Sequence, residues 1–234
     1  MTTMIKALTV LMLLFVTVKG HAGNEDLYFI FYATIDGKTG HVGIAIDNYR
    51  VVVKATKLEG ENPTMVYDTI KSGTLTYYDL WPAEDNFNSF NVDEDIEAIY
   101  YKLPAASWEK DITVSSLLSE GIPHREHYPV DGLIRLFSSA SEDASLLQFI
   151  ETVVANNHPF NVRKFNCADF VQLIIEEKCQ CELQAEESIA LVFSTTPNML
   201  YKEVLNLEPN MVLRDGSQKA MGSFTVERLV KGNF

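Results

Sequence analysis

Hydrophobic and polar positions alternate differently in the two halves of the chain. From Leu27 to Ala33 the sequence is Leu-Tyr-Phe-Ile-Phe-Tyr-Ala, an aromatic, β-prone run. Asp36-Gly37 and Thr39-Gly40 supply turn signals before a second apolar stretch, His41-Val-Gly-Ile-Ala-Ile-Asp47, so the two stretches read as a hairpin. Further β-prone stretches follow at 50–55, 65–70 and 74–80, with a Glu-Gly-Glu-Asn-Pro turn after the first of them. The N-terminal half therefore predicts an antiparallel β-meander. The pattern breaks at Trp81-Pro82 into an acidic, Asn-rich loop, and one more strand is expected near 96–103.

The second half changes period. Ser139-x-x-Glu142 has the form of a capping box, and Leu146, Leu147, Ile150, Val153 and Val154 recur at helical spacing up to Asn156-Asn157. A second helix is expected from Cys167 to about Lys178, with Phe170, Val171, Ile174 and Ile175 on the face that packs against the sheet. Strands gathered early and helices late predict an α+β domain over 23–234. No internal repeat or interdomain linker interrupts it.

Ahead of that domain, Met1 to Lys6 precede an apolar run from Ala7 to Val18, too short to cross a bilayer and followed by small residues at Gly20 and Ala22. This is read as a signal peptide over 1–22, which implies export to the periplasm or medium. No later segment approaches the roughly 20 apolar residues of a spanning helix. The net charge is −13, and more negative still without Lys6 and Lys19, so phosphate backbones and anionic headgroups are poor partners and a monomer is expected. With three cysteines at least one thiol is unpaired; Cys167 is the candidate, and the one-residue spacing of Cys179 and Cys181 argues against a relaxed bridge between them.

Chemistry concentrates at two places. Asn166-Cys167-Ala-Asp169-Phe-Val sets a cysteine in the first turn of a helix, where Asn166 can cap and the unpaired amides favour a thiolate and can bind an oxyanion. Gly40-His41-Val-Gly43-Ile opens a strand with a histidine flanked by glycines that permit close approach. A Gly-His-Val-Gly-Ile strand early and a Phe-Asn-Cys-Ala-Asp-Phe-Val helix late resemble the circularly permuted NlpC-type branch of the papain-like superfamily, to which lecithin–retinol acyltransferase-like proteins are similar. Pro159-Phe160-Asn161 and Thr196-Pro197 fit the same pattern, although tyrosine is more usual at Phe160.

The resemblance implies a papain-like fold with Cys167 as nucleophile, His41 as general base and no cofactor. A third group should orient His41 from a strand that follows it. No His, Glu, Gln or Asn lies between Val51 and Ala55, so Asp68 is the first choice, with Thr56 a weaker one and Asp79 behind Asp68. Export together with the resemblance points to amide or peptide hydrolysis in peptidoglycan stem peptides. Acyl transfer to a lipid and a noncatalytic envelope-binding module are the alternatives. His124-Arg-Glu-His127 lies between Pro123 and Pro129 and makes a poor metal site, Asp93 to Glu97 reads as a solvated acidic loop, and His158 as a helix-end residue.

Overall fold

The computed structural model describes residues 25–33, 40–56, 64–83, 93–105, 110–122, 128–189, 192–207 and 210–220. The proposed leader and His124 to His127 lie outside these residues. Strands β1 (Glu25–Tyr32), β2 (His41–Thr56), β3 (Thr64–Pro82), β4 (Ala98–Leu103), β5 (Gly132–Ser138) and β8 (Asn210–Arg214) form one sheet in the order β4-β3-β2-β1-β5-β8. Its neighbours pair antiparallel. Strands β6 (Glu186–Ile189) and β7 (Val192–Thr195) form a separate hairpin. The helices are α1 (Val114–Ser119), α2 (Ala140–Asn156), α3 (Cys167–Cys179), α4 (Pro197–Leu205) and α5 (Ser217–Ala220). The chain is α+β, with a mainly N-terminal antiparallel sheet that β5 and β8 complete from the C-terminal half.

The stretches at 41–47 and 50–55 are one strand, and those at 65–70 and 74–80 are another. The gaps between those stretches are irregularities of the ladder, not strand ends. The register shifts between Asp47 and Tyr49, and Gly73 adopts φ +87°. The Asn48 side chain ties these breaks together, donating to Thr74 Oγ1 at 3.2 Å and accepting from Thr76 Oγ1 at 2.7 Å. A satisfied bulge lets both strands run on without a turn.

Period-two alternation gives the sheet two apolar faces. On one, Leu27, Phe29, Phe31, Val42, Ile44, Ile46, Tyr78 and Leu80 pack against Phe170, Val171, Ile174 and Ile175 of α3 and against Leu146 and Ile150 of α2. On the other, Tyr28, Ile30, Tyr32, Ala45, Leu75 and Tyr77 pack under Ile112, Leu117 and Ile122. Truncating Phe170, which is fully buried, to Ala is expected to cost about 3–5 kcal/mol. Among the described residues no helix is long and apolar enough to cross a membrane.

The two long helices start where their caps dictate. Ser139 and Glu142 form the expected reciprocal box ahead of α2, and Asn157 closes that helix in the left-handed region at φ 48°. Asn166 and Asp169 form a second box ahead of α3. At the end of α3, Gln180 at φ 51° turns the chain so that Cys179 and Cys181, against the expectation from their spacing, are joined in a disulfide with Cα atoms 5.2 Å apart. That separation lies within the ordinary range. Cys167 lies outside the disulfide and keeps its thiol.

Candidate active site

Strand β3 carries Tyr77, Asp79 and Trp81 at alternate positions, so all three project from the face that bears Tyr28 and Tyr32. Pairing of Tyr32 with His41 puts the imidazole on that face too. All converge on one atom. Asp79 Oδ2 lies 2.7 Å from His41 Nε2, accepts from the Tyr77 hydroxyl at 2.7 Å and accepts from Trp81 Nε1 at 2.8 Å. Tyr77 and Asp79 are 0% exposed and His41 3%, which makes this a dry cluster.

The protonation pattern follows from the donors. Indole N–H is donor only. Burial pushes the Tyr77 hydroxyl well above its ordinary range, and the nearby Asp79 and Cys167 add to the shift, so the phenol stays protonated. Asp79 Oδ2 is therefore the acceptor in each bond, His41 Nε2 carries a hydrogen, and Nδ1 is the basic nitrogen. Trp81 stacks on the imidazole with ring centroids 4.3 Å apart and fixes its plane.

Gly43 has a specific steric reason to be glycine. A Cβ there would sit 2.2 Å from the Tyr77 hydroxyl oxygen, so the tyrosine ring lies across the bare backbone of β2. The close approach expected beside His41 thus comes from an aromatic ring of the protein itself.

Cys167 opens α3 beneath a well-anchored cap. Asn166 Oδ1 accepts from Ala168 N at 2.7 Å and Asp169 N at 3.3 Å, while Asn166 Nδ2 donates to Val162 O, Ser194 Oγ and Thr195 O. Those two amides serve the cap, so an oxyanion could use them only by displacing Asn166. The helix N-terminus still favours a thiolate through its dipole. Asp169 accepts from Asn166 N at 2.8 Å, and burial, partly offset by Thr195 and Asn166, pushes its carboxyl up to about 6.

The two halves of the site come from α3 and from the sheet. Cys167, 9% exposed, packs with the apolar cluster of Val42, Ile44 and Tyr78, and His41 shares a face of the sheet with Tyr32 and Asp79. Tyr77 is the residue on which both act: it bonds the carboxylate that holds His41, and it feels the charge of Cys167.

Asp68 is not the partner of His41. It pairs with Val52, eleven positions along β2 and so roughly 35 Å from the histidine at strand spacing. Thr56 pairs with Thr64 farther out still. The strand that follows the histidine is β3, reached only after the whole length of β2. The pairing of Ile44 with Tyr78 then returns positions 79 to 81, not 51 to 55 or 68, to the level of His41. Tyr77 and Trp81 carried no weight in the sequence reading. The available signal was an aspartate at an inward position between two aromatics in Tyr77-Tyr-Asp79-Leu-Trp81.

Of the remaining candidates, Asp93 pairs with Arg163 at 3.0 Å and Asp95 accepts from Asn161 Nδ2 at 2.6 Å. The acidic loop thereby ties down the approach to α3. The ring of His158, just past the end of α2, packs 5.3 Å from that of Phe165. Among the described residues no group of three or more His, Cys, Asp or Glu is placed to hold a metal. No family model matches the chain, and neither the curated proteins nor the solved structures yield a match.

Proposed function

We propose that the chain is an exported papain-like cysteine hydrolase of amide or peptide bonds, with Cys167 as nucleophile, His41 as base and Asp79 as the group that orients His41. The observation that carries this reading is the buried His41–Asp79 pair, 2.7 Å apart, which leaves Nδ1 basic in the same cluster as Tyr77, which the Cys167 charge reaches. In the reaction, Nδ1 takes the Cys167 proton, and the sulfur attacks the carbonyl carbon as the amide oxygen gains charge. Collapse expels the amine, which receives the proton from His41; water, activated by the same nitrogen, then releases the acid and restores the thiol. Peptidoglycan stem peptides are the first substrate class for an exported enzyme of this kind. Incubation of the chain and of Cys167→Ala with peptidoglycan digests, read by mass spectrometry, tests it: cleavage by the first and none by the second is expected.

A noncatalytic binding module is the second reading, favoured by the burial of Cys167 within an apolar cluster. The pH dependence of thiol alkylation separates the two. A catalytic Cys167 reacts quickly well below the ordinary thiol value of about 8.5, in a manner that requires His41; a packing cysteine does neither.

A further inference from the structure

The donors around Asp79 outnumber those that orienting a histidine requires. One N–H···O bond fixes the tautomer of His41, yet the same oxygen also receives a phenol and an indole. Tyr77 stands out because three independent features hold its hydroxyl in place. It is 0% exposed, its ring lies where any side chain at position 43 would be, and its 2.7 Å bond to Asp79 matches in length the bond from His41.

We propose that Tyr77 is a positioning residue that sets the basicity of His41 by sharing the charge of Asp79. The inference rests on the reading of His41 as a base, but its physical content does not depend on the reaction. A carboxylate oxygen that accepts from a buried phenol is a weaker acceptor for imidazolium than one that does not. The charge is already partly compensated, in surroundings where little solvent competes. With Tyr77 in place, His41 is held in the right tautomer and releases its proton more readily. Without the hydroxyl, Asp79 would draw more strongly on protonated His41 and keep it charged to higher pH. The titratable groups facing the ring include Tyr32 on β1, with ring centroids 6.5 Å away, Asp79 and Tyr77 on β3, and Cys167 of α3, whose charge reaches Tyr77. Of these, Tyr77 is the one placed to modulate Asp79 without bearing charge itself, because its own ionisation is pushed well out of range.

The test is an NMR titration of the His41 ring protons in a Cys167→Ala background, which removes the thiol and any turnover. Tyr77→Phe keeps the ring over Gly43 and deletes only the donor; the midpoint of His41 is expected to rise by about 0.5–1 pH unit, a fraction of a hydrogen bond to a charged group. Site-specific 3-fluorotyrosine at position 77 strengthens the donor while preserving the contact, and is expected to move the midpoint down. This second variant decides the matter if Tyr77→Phe does not fold. An unchanged midpoint in the folded variant, or shifts of the same sign in both, overturns the role of Tyr77 and leaves the proposed chemistry standing. Conversely, if wild-type Cys167 alkylates like an ordinary thiol, the hydrolase reading fails while the titration still measures whether Tyr77 tunes His41.

Discussion

Two buried polar clusters lie on the same face of the sheet and solve the same problem differently. Near the start of β1, Asp26 and Asp47, 3% and 5% exposed, share Lys71, whose Nζ lies 2.6 and 2.7 Å from their carboxylates; Arg135 approaches Asp26 at 3.5 Å and the Tyr28 hydroxyl reaches both acids. Opposite charges are matched there, and the basic heads keep partial contact with water. Burial acts to lower the Lys71 ammonium, but its bonds to Asp26 and Asp47 outweigh that and raise it. At the other end of the same strands, Asp79 is ringed by a neutral indole, a neutral phenol and a histidine. No fixed cation among those donors compensates it. The first cluster balances charge against charge, whereas the second holds its carboxylate with hydrogen bonds from a phenol, an indole and a histidine.

The comparison breaks first at Asp79. Asp79→Asn should preserve the fold, with an unchanged or higher melting temperature because a buried charge is removed, while slowing turnover and the low-pH alkylation of Cys167 by about 10²- to 10⁴-fold through loss of tautomer control. Thermal denaturation and alkylation rates measured on one preparation check both halves, and full reactivity would take Asp79 out of the mechanism. Lys71→Met should do the reverse. Stripping the shared cation from two buried acids should destabilise by about 2–3 kcal/mol, less than a fully buried pair would because Lys71 is 31% exposed, with alkylation of Cys167 unchanged. Denaturant titration reads this directly.

Gly43→Ala is a finer probe, since it disturbs the Asp79 cluster without touching a polar group. The added methyl must displace the ring of Tyr77, and a loss of about 1–3 kcal/mol is expected together with the His41 titration shift of a missing phenol. The smallest effect belongs to Asp169, at the cap of α3. Its carboxyl is raised from 3.8 to about 6, so the native state holds the proton more tightly than the unfolded chain. Its contribution to stability is greatest below about pH 4 and is lost as pH rises to about 6. Asp169→Asn should flatten that part of the stability–pH curve, and a slope unchanged across pH 4–6 would count against the buried assignment.

Local chemistry was legible from the sequence wherever a few neighbouring residues decide it. Ser139 with Glu142, and Asn166 with the helical run after it, mark helix starts through bonds that span three residues, and the antiparallel pairing of β1 with β2 follows from their apolar runs. The placement of Cys167 in the first turn of α3 belongs to this class. The gaps at 48–49 and 71–73 left the continuity of the strands open, because Asn, Ser and Gly serve bulges as well as turns. Only the cross-strand bonds of Asn48 reveal which applies.

The partner of His41 needed the tertiary structure. Which acid faces a residue 38 positions earlier depends on how long the intervening hairpin runs, and a strand's alternation says that Asp68 or Asp79 could face inward without saying which one returns to the level of His41. The register of β2 against β3, summed over both strands, decided for Asp79. The burial of Cys167 against β2 and β3, and the Tyr77 ring that lies between Gly43 and Asp79, were likewise settled by packing between segments far apart in the chain. The sequence by itself determined which residue types could do the chemistry and which turns begin the helices, because those are matters of short-range bonding. Long-range strand register, a property of the whole sheet, decided which of those residues meet.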